Sequence, residues 1–170
     1  MNKVLVLVFF LFVFIGCVNN EPMDEAVLYS IDRIRSSPDF HWFNWEYDLY
    51  NYEQDVVDSI SSRFTNSLKV VIFTAPSCYC GSLYTKFPQL IKVLEGANIN
   101  SNNYEIYVTI DTGNKLRFGH PYSIYFDVTT LPTLYLMDSN EQYYNLLHQV
   151  NTKSISIEEA LLEGIKYFGY

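Results

Sequence analysis

The chain has 170 residues, 49% of them apolar and 17% aromatic, which excludes a largely disordered chain and leaves room for one domain with a sizeable core. Its formal net charge of −8 excludes the basic face that a nucleic-acid partner requires. No run of Lys or Arg suggests a polybasic contact with a membrane.

In chain order, the first element is a leader. Val4–Ile15 is an unbroken apolar run behind Lys3. It is too short for the roughly 20 residues a spanning helix needs, but it fits the apolar region of an export signal. It ends in Phe14-Ile15-Gly16-Cys17, which resembles the lipobox of bacterial lipoproteins, with Phe14 where Leu is usual. The resemblance implies a signal peptide over 1–16 and a lipid on Cys17. Residues 17–22 then form a polar tether, and the domain sits at a bilayer in the cell envelope, facing the periplasm or extracytoplasmic space. The alternatives are an ordinary cleaved signal with an incidental cysteine and, behind it, an uncleaved anchor. Removing Lys3 with the leader makes the formal charge one unit more negative.

Residues 23–52 read as an amino-terminal extension. Ala26, Val27, Leu28, Ile31 and Ile34 predict a helix over Met23–Ser36, with Asp24 as N-cap and Pro38 ending it. The aromatic stretch Phe40-His41-Trp42-Phe43-Asn44-Trp45-Glu46-Tyr47, continuing through Tyr50 and Tyr52, reads as an extended segment packed along the edge of the domain. A carbohydrate- or partner-binding strip is the alternative.

The main domain spans 53–170. Val56, Val57, Ile60 and Phe64 predict a helix over Glu53–Asn66. Leu68–Thr74 is a β-branched run that reads as a buried central strand. Ala75–Ser82 is a loop entering a helix with Leu83, Phe87, Leu90, Ile91 and Leu94 on one stripe, kinked by Pro88 and ended by Gly96. Tyr104–Ile110 predicts a strand, Lys115–Phe126 a loop and short helix, and Thr133–Met137 a further strand. After a turn at Asp138-Ser139-Asn140, Gln142–His148 returns as a hairpin partner, which puts His148 on an edge strand. Ser156 with Glu159 is a capping-box signature for a last helix with Ile157, Leu161, Leu162, Ile165 and Phe168 inward. This order predicts an α/β fold, a parallel βαβ unit followed by an antiparallel ββα unit.

Two segments carry a further resemblance, over roughly Tyr52 to the carboxyl end. Val70-Val71-Ile72-Phe73-Thr74-Ala75-Pro76-Ser77-Cys78 is similar to the strand and turn that deliver the reactive cysteine in the thioredoxin superfamily, in its protein disulfide isomerase version especially. Phe126-Asp127-Val128-Thr129-Thr130-Leu131-Pro132-Thr133-Leu134 resembles the family segment whose proline is cis and faces that cysteine. The resemblance implies a thioredoxin-like three-layer α/β/α domain with a central mixed sheet, extended here by the amino-terminal helix and aromatic segment. It implies a cis Pro132 that leaves the Leu131 backbone free to pair with an extended substrate, with Tyr79 beside them in the substrate site. The chain departs from the family at four points. Cys78-Tyr79-Cys80 replaces Cys-x-x-Cys, Gly81 stands where the second cysteine would be, Ser77 replaces the usual Trp, and Ile72 replaces the buried acid. Pro88 lies eight residues after Cys80, so strand and helix point to different cysteines.

Of the three cysteines, Cys78 and Cys80 remain if Cys17 carries lipid. A pair so close staples almost no chain, so a redox or metal role outweighs a structural one. A cysteine at a helix N-terminus is favoured as thiolate, the nucleophile of thiol–disulfide exchange. Cys78 is expected to attack and Cys80 to resolve, and their small ring to be strained and oxidising. The expected partners are exported protein thiols and disulfides and an electron-exchange partner of the membrane or periplasm. No cofactor and no resident metal are implied. Two alternatives stand beside this one. One is a Cu(I) metallochaperone, in which His120 joins the two thiolates. The other is a redox-inert binding or structural lipoprotein that uses the aromatic segment.

Overall fold

A computed structural model describes residues 25–76, 84–109 and 119–170. Cys17, Cys78, Tyr79 and Cys80 lie outside the described residues. In chain order the elements are β1 (Val27–Tyr29), α1 (Ile31–Ser36), a 3-10 turn (Pro38–Phe40), α2 (His41–Leu49), α3 (Gln54–Arg63) and β2 (Lys69–Thr74). There follow α4 (Lys86–Gly96), a 3-10 turn (Ser101–Asn103), β3 (Tyr104–Val108), β4 (Thr133–Met137), β5 (Tyr143–Asn145), α5 (Leu146–Lys153) and α6 (Ile157–Tyr167).

The fold is α/β, built on one mixed five-stranded open sheet of order β1-β3-β2-β4-β5. β2 and β3 are parallel, joined through α4, as the βαβ reading expects. β4 pairs antiparallel with both β2 and β5. β2 is central because its side chains are apolar on both faces, the pattern of a strand covered from two sides. Val70 and Ile72 point into the larger core with Ile106, Val108, Leu134 and Leu136, and all six helices among the described residues bury side chains there. Val71 and Phe73 point the other way, into a smaller core with Tyr107, Phe126, Val128, Tyr135 and Met137.

That second face carries no helix among the described residues. Among the described residues it is covered by turns over 121–125 and an irregular stretch, with aromatic rings as the filling. Phe126 is the hub, its ring centroid 4.1 Å from Tyr135, 5.1 Å from Tyr143 and 5.9 Å from Phe73. Such contacts pack this face well, because each ring buries a large area without needing a regular backbone.

Four local expectations need correction. Residues 27–29 form a strand, antiparallel to β3, and α1 starts later with Ser30 rather than Asp24 as its cap. The aromatic stretch is the helix α2, not an extended segment, with Trp42 and Phe43 buried. Pro88 does not sit deep inside α4: it is the third helical residue, in the first turn, where its missing N–H interrupts no helix bond. The hairpin strand stops at Asn145, whose side chain accepts from the His148 backbone N–H and starts α5, so His148 is helical. The capping box at Ser156 and Glu159 forms as expected, with reciprocal bonds of 3.2 and 2.8 Å. Among the described residues no helix is long and apolar enough to cross a membrane.

Candidate active site

The two segments singled out in the sequence meet at one end of the sheet. The antiparallel register of β2 with β4 ends at Phe73 opposite Thr133. Pro132 is the next residue outward on β4, and Thr74, Ala75 and Pro76 are the next on β2. Pro132 is buried, its peptide bond with Leu131 is cis, and Leu131 packs against the smaller core. The Thr133 hydroxyl donates to the Thr130 carbonyl at 2.5 Å and braces the corner. Cys78 follows Pro76 by two residues, outside the described residues.

The chemistry around the end of β2 is apolar. Ile72 is fully buried in the larger core, paired with Ile106 on one side and Leu134 on the other, so no carboxylate lies at that position of β2. Thr74 is fully buried and Thr109 nearly so, and neither hydroxyl has a hydrogen-bond partner among the described residues. The Thr74 carbonyl accepts from the Thr109 backbone N–H at 3.0 Å, so the pairing of β2 with β3 continues one residue past β3. Lys86 opens α4 with its Nζ donating to Gln89 Oε1 at 3.0 Å. Burial pushes its ammonium below the ordinary range, against the pull of Glu158.

Sequence reasoning missed what holds this end of the molecule. The Trp42 indole Nε1–H of α2 donates to the Pro76 carbonyl at 3.4 Å. The same ring meets Tyr84 edge-on at 5.5 Å and Phe87 at 6.4 Å. The Tyr84 hydroxyl donates to Glu46 Oε1 at 3.1 Å. Trp42 and Glu46 are four residues apart and share a face of α2, a spacing that was legible once the stretch was read as helix. Nothing in the sequence marked Tyr84.

Of the histidines, His120 comes to the smaller core, 4.8 Å from the Phe73 ring and stacked on Phe126 at 5.7 Å. Burial pushes its pKa down, with Asp127 pulling the other way, so the neutral imidazole is favoured. His41 and His148 are exposed on α2 and α5. Among the described residues no group of three or more His, Cys, Asp or Glu could hold a metal ion.

A cavity of about 550 Å³ opens at the opposite end of β2 and β3, against Lys69, Glu105, Tyr107 and Tyr122. The Glu105 carboxylate accepts from Lys69 Nζ at 2.7 Å, Tyr122 at 2.6 Å and Tyr107 at 2.9 Å. Neither Leu131 nor Pro132 lines it. No protein-family model matches the chain, and no curated protein and no solved structure matches it either.

Proposed function

We propose that the chain is an exported, lipid-anchored thiol–disulfide oxidoreductase with a thioredoxin-like domain, acting on extracytoplasmic proteins. The observation that carries the reading is the meeting of the Leu131-Pro132 corner with the end of the strand that runs into Cys78. In this reading the Cys78 thiolate attacks one sulfur of a substrate disulfide, forming a mixed disulfide and releasing a substrate thiolate. The Cys80 thiolate then attacks the Cys78 sulfur, which forms the Cys78–Cys80 disulfide and releases the second substrate thiolate. Two electrons pass from the pair to the substrate, and the reverse sequence oxidises a substrate dithiol. Leu131 and Pro132 offer backbone to an extended substrate, with Tyr79 beside them. The lipid on Cys17 holds the domain at the envelope membrane. With Ile72 and Thr74 on β2 and Thr109 just past β3, none of them an acid, protons on the resolving thiol exchange with water, so turnover is slow.

The test is the redox state of the Cys78/Cys80 pair across graded glutathione buffers, read by alkylation and mass spectrometry. A reversible two-electron transition more oxidising than thioredoxin, about −270 mV, supports an oxidase or isomerase. Thiols that never pair, or a disulfide that no buffer reduces, defeat the reading.

One observation favours a second reading. His120 lies against Phe73, five residues before Cys78, in surroundings that keep it neutral and able to ligate. Two thiolates and an imidazole suit Cu(I) as cargo. Stoichiometric Cu(I) binding that is lost in His120→Ala, in a protein whose thiols never pair, would select it.

A further inference from the structure

We propose that the cavity at the Lys69 end of the sheet is a saccharide-binding site, which takes a neutral sugar and works independently of the thiol chemistry.

The register of the sheet sets its floor. Lys69 lies two residues before Val71 on β2, and on β3 Glu105 pairs with Val71 and Tyr107 with Phe73. Side chains two apart on a strand share a face, so all three stand on the side of the smaller aromatic core. Tyr122 reaches the same point from the turns over 121–125, its ring stacked on Phe126 at 5.8 Å. The aromatic filling therefore stops at a polar cluster, and about 550 Å³ beyond it is open. Charged and phenolic groups set around an open cavity add nothing to packing.

The ligand follows from the bonds this cluster leaves unmade. Glu105 Oε2 accepts from the Tyr122 and Tyr107 hydroxyls at 2.6 and 2.9 Å. Among the described residues Oε1 accepts from Lys69 Nζ alone, at 2.7 Å. A carboxylate oxygen has room for a second bond and an ammonium has several protons, so Oε1 keeps an acceptor site and Nζ keeps donors. An acceptor and a donor 2.7 Å apart match two vicinal hydroxyls of a sugar ring, one donating to Oε1 and its neighbour accepting from Nζ. The half-buried Tyr125 lines the same cavity and offers an aromatic surface to the apolar C–H face of that ring. Asn102 also lines it, exposed, and its amide makes no hydrogen bond among the described residues. A second cavity of about 480 Å³, against Tyr29 and Ser101, shares Asn102 and Glu105 with the first. Two adjoining spaces around one carboxylate suit two linked sugar units.

Charge and topology disfavour the rivals. Among the described residues lining the first cavity Lys69 is the only cation, outnumbered by Glu105, Asp138 and Glu141, so phosphates and carboxylates are repelled. An amine meets the Lys69 ammonium at Glu105, while Asp138 is engaged in its own turn, accepting from the Asn140 and Gln142 backbone N–H groups at 3.0 and 2.9 Å. β2 and β3 are inner strands, so an extended peptide finds no unpaired edge on the floor of the cavity.

The experiment is amide chemical-shift mapping on the isotope-labelled full chain. The neutral probes are glucose, mannose, N-acetylglucosamine, maltose, cellobiose, mannobiose and N,N′-diacetylchitobiose; a hexose phosphate and spermidine are the charged comparators. Each is added to about 10 mM, which fills most of a site whose Kd is about 1 mM. The expected result is saturable shifts at Glu105, Tyr122 and Asn102 with a neutral sugar, and tighter binding of a disaccharide whose shifts extend to Ser101. Lys69→Met should weaken that binding about tenfold and Asn102→Ala about threefold, with no change in Lys153→Met on α5. Asn102 is exposed, so its variant keeps the fold should Lys69→Met fail to. No saturable shift with any neutral sugar, shifts centred away from the cavity, or tighter binding of the hexose phosphate or spermidine overturns the proposal. So does a Kd within twofold of wild type in Lys69→Met, or in Asn102→Ala should Lys69→Met not fold. Equal affinity for a disaccharide and its single unit overturns the part given to the second cavity.

Discussion

Tyr50→Phe tests how the aromatic segment is attached to the rest of the domain. Glu158 sits in the first turn of α6 with 2% of its surface exposed. The positive end of the helix dipole favours a carboxylate there. Its oxygens accept from the Tyr50 hydroxyl and from the Glu53 backbone N–H, the latter at 3.3 Å. Burial, then the bond to Glu158, pushes the Tyr50 phenol far above its ordinary pKa, so it remains a donor. Deleting the hydroxyl leaves a charge with no route to water and one partner fewer. A hydrogen bond to a charged group contributes about 1.5–3 kcal/mol. We expect a loss of about 2 kcal/mol, which lowers Tm by roughly 4–8 °C in a domain of this size. Glu158→Leu removes the charge but orphans both donors. Combining it with Tyr50→Phe replaces both partners by apolar groups, and the double variant should lose about 1–2 kcal/mol less than the two singles added. The assay is urea unfolding followed by far-UV circular dichroism. A Tyr50→Phe midpoint indistinguishable from wild type, or strictly additive variants, would refute the reasoning.

Three further outcomes are expected. Burial tends to raise the Glu105 carboxyl, but the bonds from Lys69, Tyr122 and Tyr107 outweigh it and hold it below its ordinary value of 4.5. Its contribution is therefore complete above about pH 4.5 and lost as pH falls through the folded value. Lys69→Met should flatten the acid limb of stability against pH, and superimposable curves would contradict this. In Gly164→Ala the new Cβ meets Tyr144 Cδ1 at 2.9 Å and Leu136 Cδ2 at 3.0 Å. Overpacking of about 1–3 kcal/mol opposes a helix-propensity gain of about 1 kcal/mol, so calorimetry should show a lower Tm, and a raised one would mean that Tyr144 swings clear. Ser156→Ala removes one half of the α6 capping box and should cost about 1 kcal/mol in urea unfolding, with an unchanged midpoint counting against it.

The parts legible in the sequence were those where one physical signal dominates. The β2 run from Lys69 to Thr74 is apolar on both faces, and α3 and α6 have clean stripes and, for α6, a complete cap. The parts misread were those where two signals compete. Ala26 to Ile34 has helical spacing, yet the Ser30 cap splits it and leaves Val27 and Leu28 exposed on an edge strand. The aromatic run from Phe40 to Tyr47 has so many large side chains that its period is hidden, and only burial separates Trp42 and Phe43 from Trp45. Leu-Pro-Thr by itself reads as an ordinary turn, so at the candidate site the Pro132 corner was legible only through the resemblance carried by Phe126 to Leu134. The ties from Trp42 and Glu46 were not, because they join residues some 35 positions apart through partners that carry no local pattern.

The two tryptophans also make the domain an optical instrument. Trp42 is 4% exposed beside the Pro76 carbonyl, whereas Trp45, three residues on, is 67% exposed. The native emission is the sum of a blue-shifted and a red-shifted fluorophore. Replacing Trp45 with Phe leaves a single buried emitter at the end of β2, so redox titration, ligand addition and unfolding can each be followed from that place alone by the wavelength of its light.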